Sequence, residues 1–457
     1  MKSKEYVCQS CGYPTPSWFG KCPQCGGWNT FLERIPTSRP EKKPPSPSGK
    51  RPVSLEAISE KEMTSDTRFP SGISEVDRVL GGGIVEGSLS LLSGDPGIGK
   101  STLLLAIAGG VARAGKKAVY ISTEESLHQL FIRIQRLHFP RFPNLFVFST
   151  DQFGDVESAV DTVHPDLMIV DSIQNLSIEE VESLPGSITL IRDLTLRCME
   201  ISKKRNVALF LVGHVTKEGT VAGPRTLEHL VDVVLYLDGE PQGPLRILRS
   251  VKNRFGSTQE VGLMEMKEEG LVELANPSQF FLNEENTSNS GTARTILAEG
   301  RRAILLEVQS LVNQSYLDFP RRVSVGMDVN RLHLLAAVVE KRLRVRFSHQ
   351  DIYLNMTGGM KVTETVPDLA ICFSLVSSRL EKPISKDTVY LGEVGLGGEI
   401  RPVYLFEMRI QEALRMGIQR VVTSHCHSKK RPRNLPSTLE IVGYDTLWNA
   451  CQKEGLV

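Results

Sequence analysis

The stretch SLSLLSGDPGIGKSTLLLAIAGGVARAG, residues 88–115, leaves this chain few architectures. An apolar strand runs into Gly94, Asp95, Pro96, Gly97, Ile98, Gly99, Lys100, Ser101 and Thr102, and an apolar helix follows. The glycines let backbone N–H groups wrap the β- and γ-phosphates of a nucleotide at the helix N-terminus, where the peptide dipoles favour an anion. Lys100 supplies a mobile cation and Ser101 a magnesium ligand. Residues 94–102 are therefore the expected cradle, with ATP and magnesium as its ligands.

Between residues 66 and 275 the apolar runs SLSLLSG, KKAVYIST, NLFVFST, DLMIVDS, VALFLVGH and DVVLYLDG alternate with helical stretches. That alternation predicts an α/β domain around a doubly wound parallel sheet. Asp171 ends DLMIVD at the place where a carboxylate holds the water shell of the metal. Another strand ends in Glu124 and Glu125. Consecutive strand residues face opposite sides, so at most one aims at the γ-phosphate as general base, and spacing does not choose between them. His214 ends VALFLVGH, either as a γ-phosphate sensor or as a satisfied core histidine. Beyond PLRILRSV, the cluster Lys252-Asn253-Arg254-Phe255-Gly256 puts two cations on what reads as a loop end.

Four of the eight cysteines fall in the first 25 residues. Cys8-x2-Cys11 and Cys22-x2-Cys25, each second cysteine followed by glycine, suit a closed tetrahedral zinc site, which is structural because no coordination position stays open. Cys198, Cys372, Cys426 and Cys451 stand alone and read as buried small hydrophobes. The Pro/Ser/Lys-rich tract at 36–52 has nothing to pack and reads as a tether. Five segments are expected: a zinc module (1–35), a linker (36–65), the ATPase (66–275), a second linker (276–291) and an α+β domain (292–457). In the last, SVGMDVNRLHLLAAVVEKRL and YLFEMRIQEALRMG predict helices and TVYLGEVGLGGEIRPV a hairpin. Net charge is +1 overall, but +6 over 291–457 against −5 before it, so a phosphate-binding face belongs in the C-terminal part. No apolar run has transmembrane length and the N-terminus lacks an apolar signal core, which predicts a soluble cytosolic protein with no membrane partner.

With these residues in view, the four-cysteine N-terminus, FPSGISEVDRVLGGGIVEGSLSLLSGDPGIGKST, YISTEES and KNRFG are similar to the bacterial RadA (Sms) family of DNA-repair proteins, and the C-terminal stretch resembles a Lon peptidase domain. The resemblance covers the whole chain. It implies a RecA-like middle domain and a DNA-dependent ATPase that moves branched recombination intermediates. It also implies a homo-hexameric ring, single-stranded and branched DNA as partners, and a RecA-type recombinase beside them. Alignment places Glu124 at the catalytic glutamate. It makes Lys217 and Arg225, in the loop with Gly219 and Gly223, candidate phosphate ligands, and residues 175–187 a second DNA-contacting segment. Lys252 and Arg254 act either on the γ-phosphate of a neighbouring subunit or on DNA. The Lon-type serine and lysine positions hold Asp368 and Glu407, which can be neither nucleophile nor amine base. An ATP-driven protease is disfavoured on that chemistry, and an ATP-switched clamp or recombinase loader is the other reading.

Overall fold

The computed structural model describes residues 5–9, 11–34, 67–137, 142–179, 185–214, 227–239, 243–274, 276–282, 289–429, 436 and 438–457. The expected linker at 36–65, the loop with Lys217, Gly219, Gly223 and Arg225, and the side chain of His214 lie outside them. So do residues 180–184 of the expected DNA-contacting segment and 283–288 of the second linker. The chain divides into two compact units, Met1–Pro241 with Arg246–Glu273, and Gln242–Leu245 with Leu274–Val457.

At the N-terminus, β1 (Glu5–Cys8) pairs antiparallel with β2 (Pro14–Thr15) and β3 (Phe31–Arg34). Cys8, Cys22 and Phe31 form the buried apolar cluster of this small ribbon.

The ATPase segment opens with β4 (Arg68–Phe69), α1 (Ser74–Leu80) and β5 (Ile84–Val85). Its sheet then uses β6 (Leu89–Gly94), β7 (Ala118–Ser122), β8 (Leu145–Ser149), β9 (Leu167–Asp171), β10 (Ala208–His214), β11 (Val233–Asp238), β12 (Leu245–Asn253), β13 (Val261–Lys267) and β14 (Gly270–Glu273). Between them run α2 (Lys100–Arg113), α3 (Leu127–Arg136), α4 (Phe153–Val163) and α5 (Ile188–Arg205). The order is β14-β13-β12-β11-β6-β10-β9-β7-β8, with β6, β7, β8, β9, β10 and β11 all parallel. Such strands are covered on both faces, and two apolar clusters flank the sheet. The parallel expectation stops at β11. β12 pairs antiparallel with it, because a short connection lets the chain turn straight back. β12 also runs further than expected: Lys252 and Asn253 are strand residues paired with Val234 and Val233, not a loop end.

The C-terminal unit has a short α6 (Pro277–Phe280) and a seven-stranded sheet in the order β17-β18-β16-β15-β19-β22-β23. Its strands are β15 (Thr292–Glu299), β16 (Arg302–Gln314), β17 (Arg322–Val325), β18 (Gln350–Met356), β19 (Thr388–Leu391), β22 (Arg420–Ser424) and β23 (Glu440–Tyr444). Both expected helices form, as α7 (Val329–Leu343) and α9 (Phe406–Arg415), with α8 (Asp368–Leu380) between them in sequence. The expected hairpin is smaller than its sequence suggests. Thr388–Leu391 joins the main sheet beside β22, and only β20 (Glu393–Val394) and β21 (Ile400–Arg401) pair as a hairpin. Cys198, Cys372 and Cys451 are buried as expected, whereas Cys426 is exposed on α10 (His425–Lys429), a five-residue helix with no buried face. The chain ends in α11 (Leu447–Lys453). Among the described residues no helix is long and apolar enough to cross a membrane.

One close approach fixes α2 against the segment before α1. A Cβ on Gly110 would lie 2.2 Å from the Ser71 carbonyl oxygen and 2.8 Å from Gly72 Cα, both backbone atoms. Gly110→Ala should therefore cost about 2 kcal/mol or more in urea denaturation. Gly154→Ala, on α4 with nothing within 4 Å of the added carbon, should be neutral or stabilising.

Candidate nucleotide and zinc sites

β6 carries the phosphate loop because it is central, flanked by β10 and β11. Gly94 adopts φ 151°, and a Cβ there would meet the Leu237 carbonyl oxygen of β11 at 2.4 Å, so no other residue lets the loop leave the sheet this closely. Gly97 and Gly99 also take positive φ, the latter capping α2. The Lys100 ammonium is buried and donates to the carbonyls of Gly94 (2.8 Å) and Asp95 (2.9 Å). Burial pulls its pKa below the usual range, against the opposing pull of Asp171, Asp95 and Glu124. Ser101 and Thr102 sit half-buried on the first turn of α2. The donor set fits magnesium-bound ATP: backbone N–H groups at a helix start, an ammonium, a hydroxyl and a carboxylate at the end of β9, one strand beyond β10.

Asp171 ends β9 and is buried. Its Oδ2 accepts from the Tyr120 hydroxyl at 2.5 Å. The two glutamates after β7 separate. Glu125 Oε1 accepts from the guanidinium of Arg133 on α3 at 2.5 Å, whereas Glu124 Oε1 accepts from Ser172 Oγ (2.9 Å) and Asn175 Nδ2 (3.1 Å), just beyond Asp171. The fold thus brings Lys100, Asp171 and Glu124 together at one strand edge and turns Glu125 aside.

Lys252 and Arg254 are not part of that group. In register, Gly94 faces Leu237 and Asn253 faces Val233, which puts the cluster at the opposite edge of the sheet, about 13 Å along the strands from the loop of the same chain. Lys252 Nζ donates to the carbonyls of Glu228 (2.7 Å) and Val231 (2.8 Å), and Arg254 pairs with Asp232 at 3.2 Å. Burial pushes the Asp232 carboxyl up, but Lys203, the Leu89 N–H and Arg254 together hold it below the usual carboxylate range. The Arg68 guanidinium donates to the carbonyls of Phe255, Leu80 and Gly81, binding the cluster to the end of α1.

Sequence reading passed over Tyr120, Ser172 and Arg246, and named Asn175 only as the start of a DNA-contacting segment. Arg246, buried on β12, donates to the Ile98 carbonyl inside the phosphate loop at 2.8 Å. A hydroxyl in the apolar run AVYIS and an arginine in the alternating PLRILRS were the available signals.

In the ribbon, Cys8 and Cys25 Sγ lie 3.7 Å apart, Cys11 and Cys22 Sγ 3.6 Å, and all four sulfurs fall within 4.8 Å of one another. Four thiolates about 2.3 Å from a tetrahedral zinc are spaced by about 3.8 Å, so the set fits the ion. Gly12 and Gly26, at positive φ, donate to the Cys8 and Cys22 carbonyls and turn each knuckle.

In the C-terminal unit, Asp368 is buried at the start of α8, where both of its oxygens accept from the Arg331 guanidinium and Oδ2 also from the Val394 N–H at 3.1 Å. Burial raises its pKa against those donors. Glu407 is exposed on the first turn of α9.

A model of the AAA domain matches residues 55–220, and a model of the rubredoxin metal binding domain matches residues 6–33. Together with the phosphate loop and four-thiolate cluster, they define a RecA-like P-loop ATPase that carries a zinc ribbon, with ATP, magnesium and zinc as its cofactors. The chain is 41% identical over 452 residues to the DNA repair protein RadA of Listeria monocytogenes, covering 99% of this chain and 98% of that one. It is 43% identical over 447 residues to RadA of Bacillus subtilis, covering 97% and 96%. A solved KaiC-like protein from Pyrococcus horikoshii aligns over 46% of this chain and 100% of its own, at 20% identity and a TM-score of 0.39. The chain belongs to the RadA family of DNA repair proteins.

Two outcomes are expected from these sites. Glu124→Gln should lower kcat for ATP by on the order of a hundredfold or more with little change in KM, while Glu125→Gln stays within a few-fold of the parent. Replacing Cys22 and Cys25 by serine should release one zinc per chain, measured by metal analysis, and leave DNA-free ATP hydrolysis intact; loss of both would show that the ribbon supports the ATPase fold.

Proposed function

We propose that this protein is an ATP-driven motor that moves along single-stranded or branched DNA and migrates branches during recombinational repair. Lys100 and the N–H groups of residues 94–102 other than Pro96 hold the phosphates, Ser101 and Asp171 hold magnesium directly or through water, and Glu124 takes the proton of the attacking water. Lys252 and Arg254 of one subunit meet the γ-phosphate held by its neighbour in a homo-hexameric ring, and the basic C-terminal part lies along DNA next to a RecA-type recombinase. The observation that carries this reading is the separation of the Lys252–Arg254 cluster from the phosphate loop of its own chain, at opposite edges of one sheet. Cations that stabilise charge on a transferred phosphoryl group must reach it, and from that edge a second copy offers the route. A clamp or loader that binds and releases once per nucleotide uses the same loop, and strand-displacement assays under repeated turnover distinguish the two. Peptidase activity is not part of the proposal, since Asp368 supplies no nucleophile and Glu407 no amine.

Mixing tests the trans arrangement. Adding Arg254→Ala subunits to parent subunits should depress ATPase in proportion to mixing, and Lys100→Ala subunits should partly restore hydrolysis to Arg254→Ala subunits. Demonstrably mixed assemblies without complementation would assign Arg254 to DNA instead.

A further inference from the structure

We propose that Asn175 is a positioning residue that restrains Glu124, and that withdrawing it raises the rate of hydrolysis. The inference rests on the assignment of Glu124 as general base. Two side chains donate to the same oxygen of Glu124, and they are held very differently. Ser172 is fully buried, its N–H donates to Thr123 Oγ1 at 2.8 Å, and its carbonyl accepts from that hydroxyl at 2.9 Å, so it moves only with the ends of β7 and β9. Asn175 is exposed at the end of the single turn Ile173–Asn175, between the buried side chains of Ile173 and Leu176.

Two residues on, Ser177 is tied to the strand end after β8. Its N–H donates to the Asp151 carbonyl at 2.7 Å, and its own carbonyl accepts from the Phe153 N–H at 2.9 Å. A displacement of residues 175–177 therefore removes the Asn175 donor from Glu124 while the Ser172 donor stays. A carboxylate that accepts two hydrogen bonds is stabilised in its charged form and is the weaker base. Loss of one donor frees that oxygen of Glu124 to turn toward the attacking water. Under the proposed function, DNA against residues 175–179 supplies the displacement, which makes this contact the link between polynucleotide and chemistry.

The test measures kcat and KM for ATP in the full-length protein, with and without oligo(dT). Asn175→Ala should raise DNA-free kcat by on the order of threefold to tenfold with KM unchanged. With DNA bound, its kcat should equal the parent value, so the stimulation ratio falls. Asn175→Asp, which keeps the shape but has no N–H to donate, should raise DNA-free kcat in the same way. DNA-free rates at or below the parent in both variants, or a stimulation ratio equal to the parent's, overturn the restraint. Glu124→Gln separates the two layers. If that variant hydrolyses normally, the base assignment falls and the restraint with it; if it is dead while the Asn175 variants behave as the parent, only the restraint is wrong.

Discussion

An ammonium group taken out of water is the constraint around which the ATPase segment is built. Lys100 is 5% exposed, and burying a bare cation to that degree costs several kcal/mol. The compensation comes from two carbonyls of its own loop and from the fields of Asp171, Asp95 and Glu124. Each further support comes from a different strand: Tyr120 of β7 holds Asp171 of β9, and Arg246 of β12 holds the Ile98 carbonyl. The strand order therefore does chemical work. β10 sits between β6 and β9, so Lys100 and Asp171 approach across one intervening strand end.

The same sheet explains why Lys252 and Arg254 belong together although they contact different partners. Asp232 precedes β11 and is buried, and a buried carboxylate persists only when it is paired. It accepts from Lys203 of α5 at 2.8 Å, from the Leu89 N–H at the start of β6 at 3.0 Å, and from Arg254. The guanidinium is thereby anchored to the first residue of the strand whose last residue begins the phosphate loop. Any shift of Arg254 toward an anion outside the chain alters the charge balance at the root of β6.

The parallel strands were legible in the sequence because strands covered on both faces read as unbroken apolar runs, and the phosphate loop because its glycines are required by backbone geometry. The antiparallel return through β12 was not. Its alternation of apolar and charged residues resembles an exposed strand, while Arg246 on it is buried against a carbonyl far away in sequence. Glu124 and Glu125 illustrate the same limit. Spacing alone leaves them equivalent, and what distinguishes them is Arg133 on α3 and Ser172 beyond β9, contacts that exist only after the chain has folded.

Asp368 shows what a buried carboxylate at the start of a helix requires. A neutral serine at that position would need only hydrogen bonds, whereas a carboxylate in the same buried place needs a counter-charge, and Arg331 of α7 supplies it through its Nε and one terminal nitrogen. Removing one partner of such a pair is expensive, about 3–5 kcal/mol, because the other charge is left buried and alone. Asp368→Ser would leave the Arg331 guanidinium facing a neutral hydroxyl and strip the Val394 N–H of its carboxylate acceptor. The change therefore undermines the packing of α7 on α8 before it creates a nucleophile. The ion pair is a joint that helps hold the C-terminal unit together.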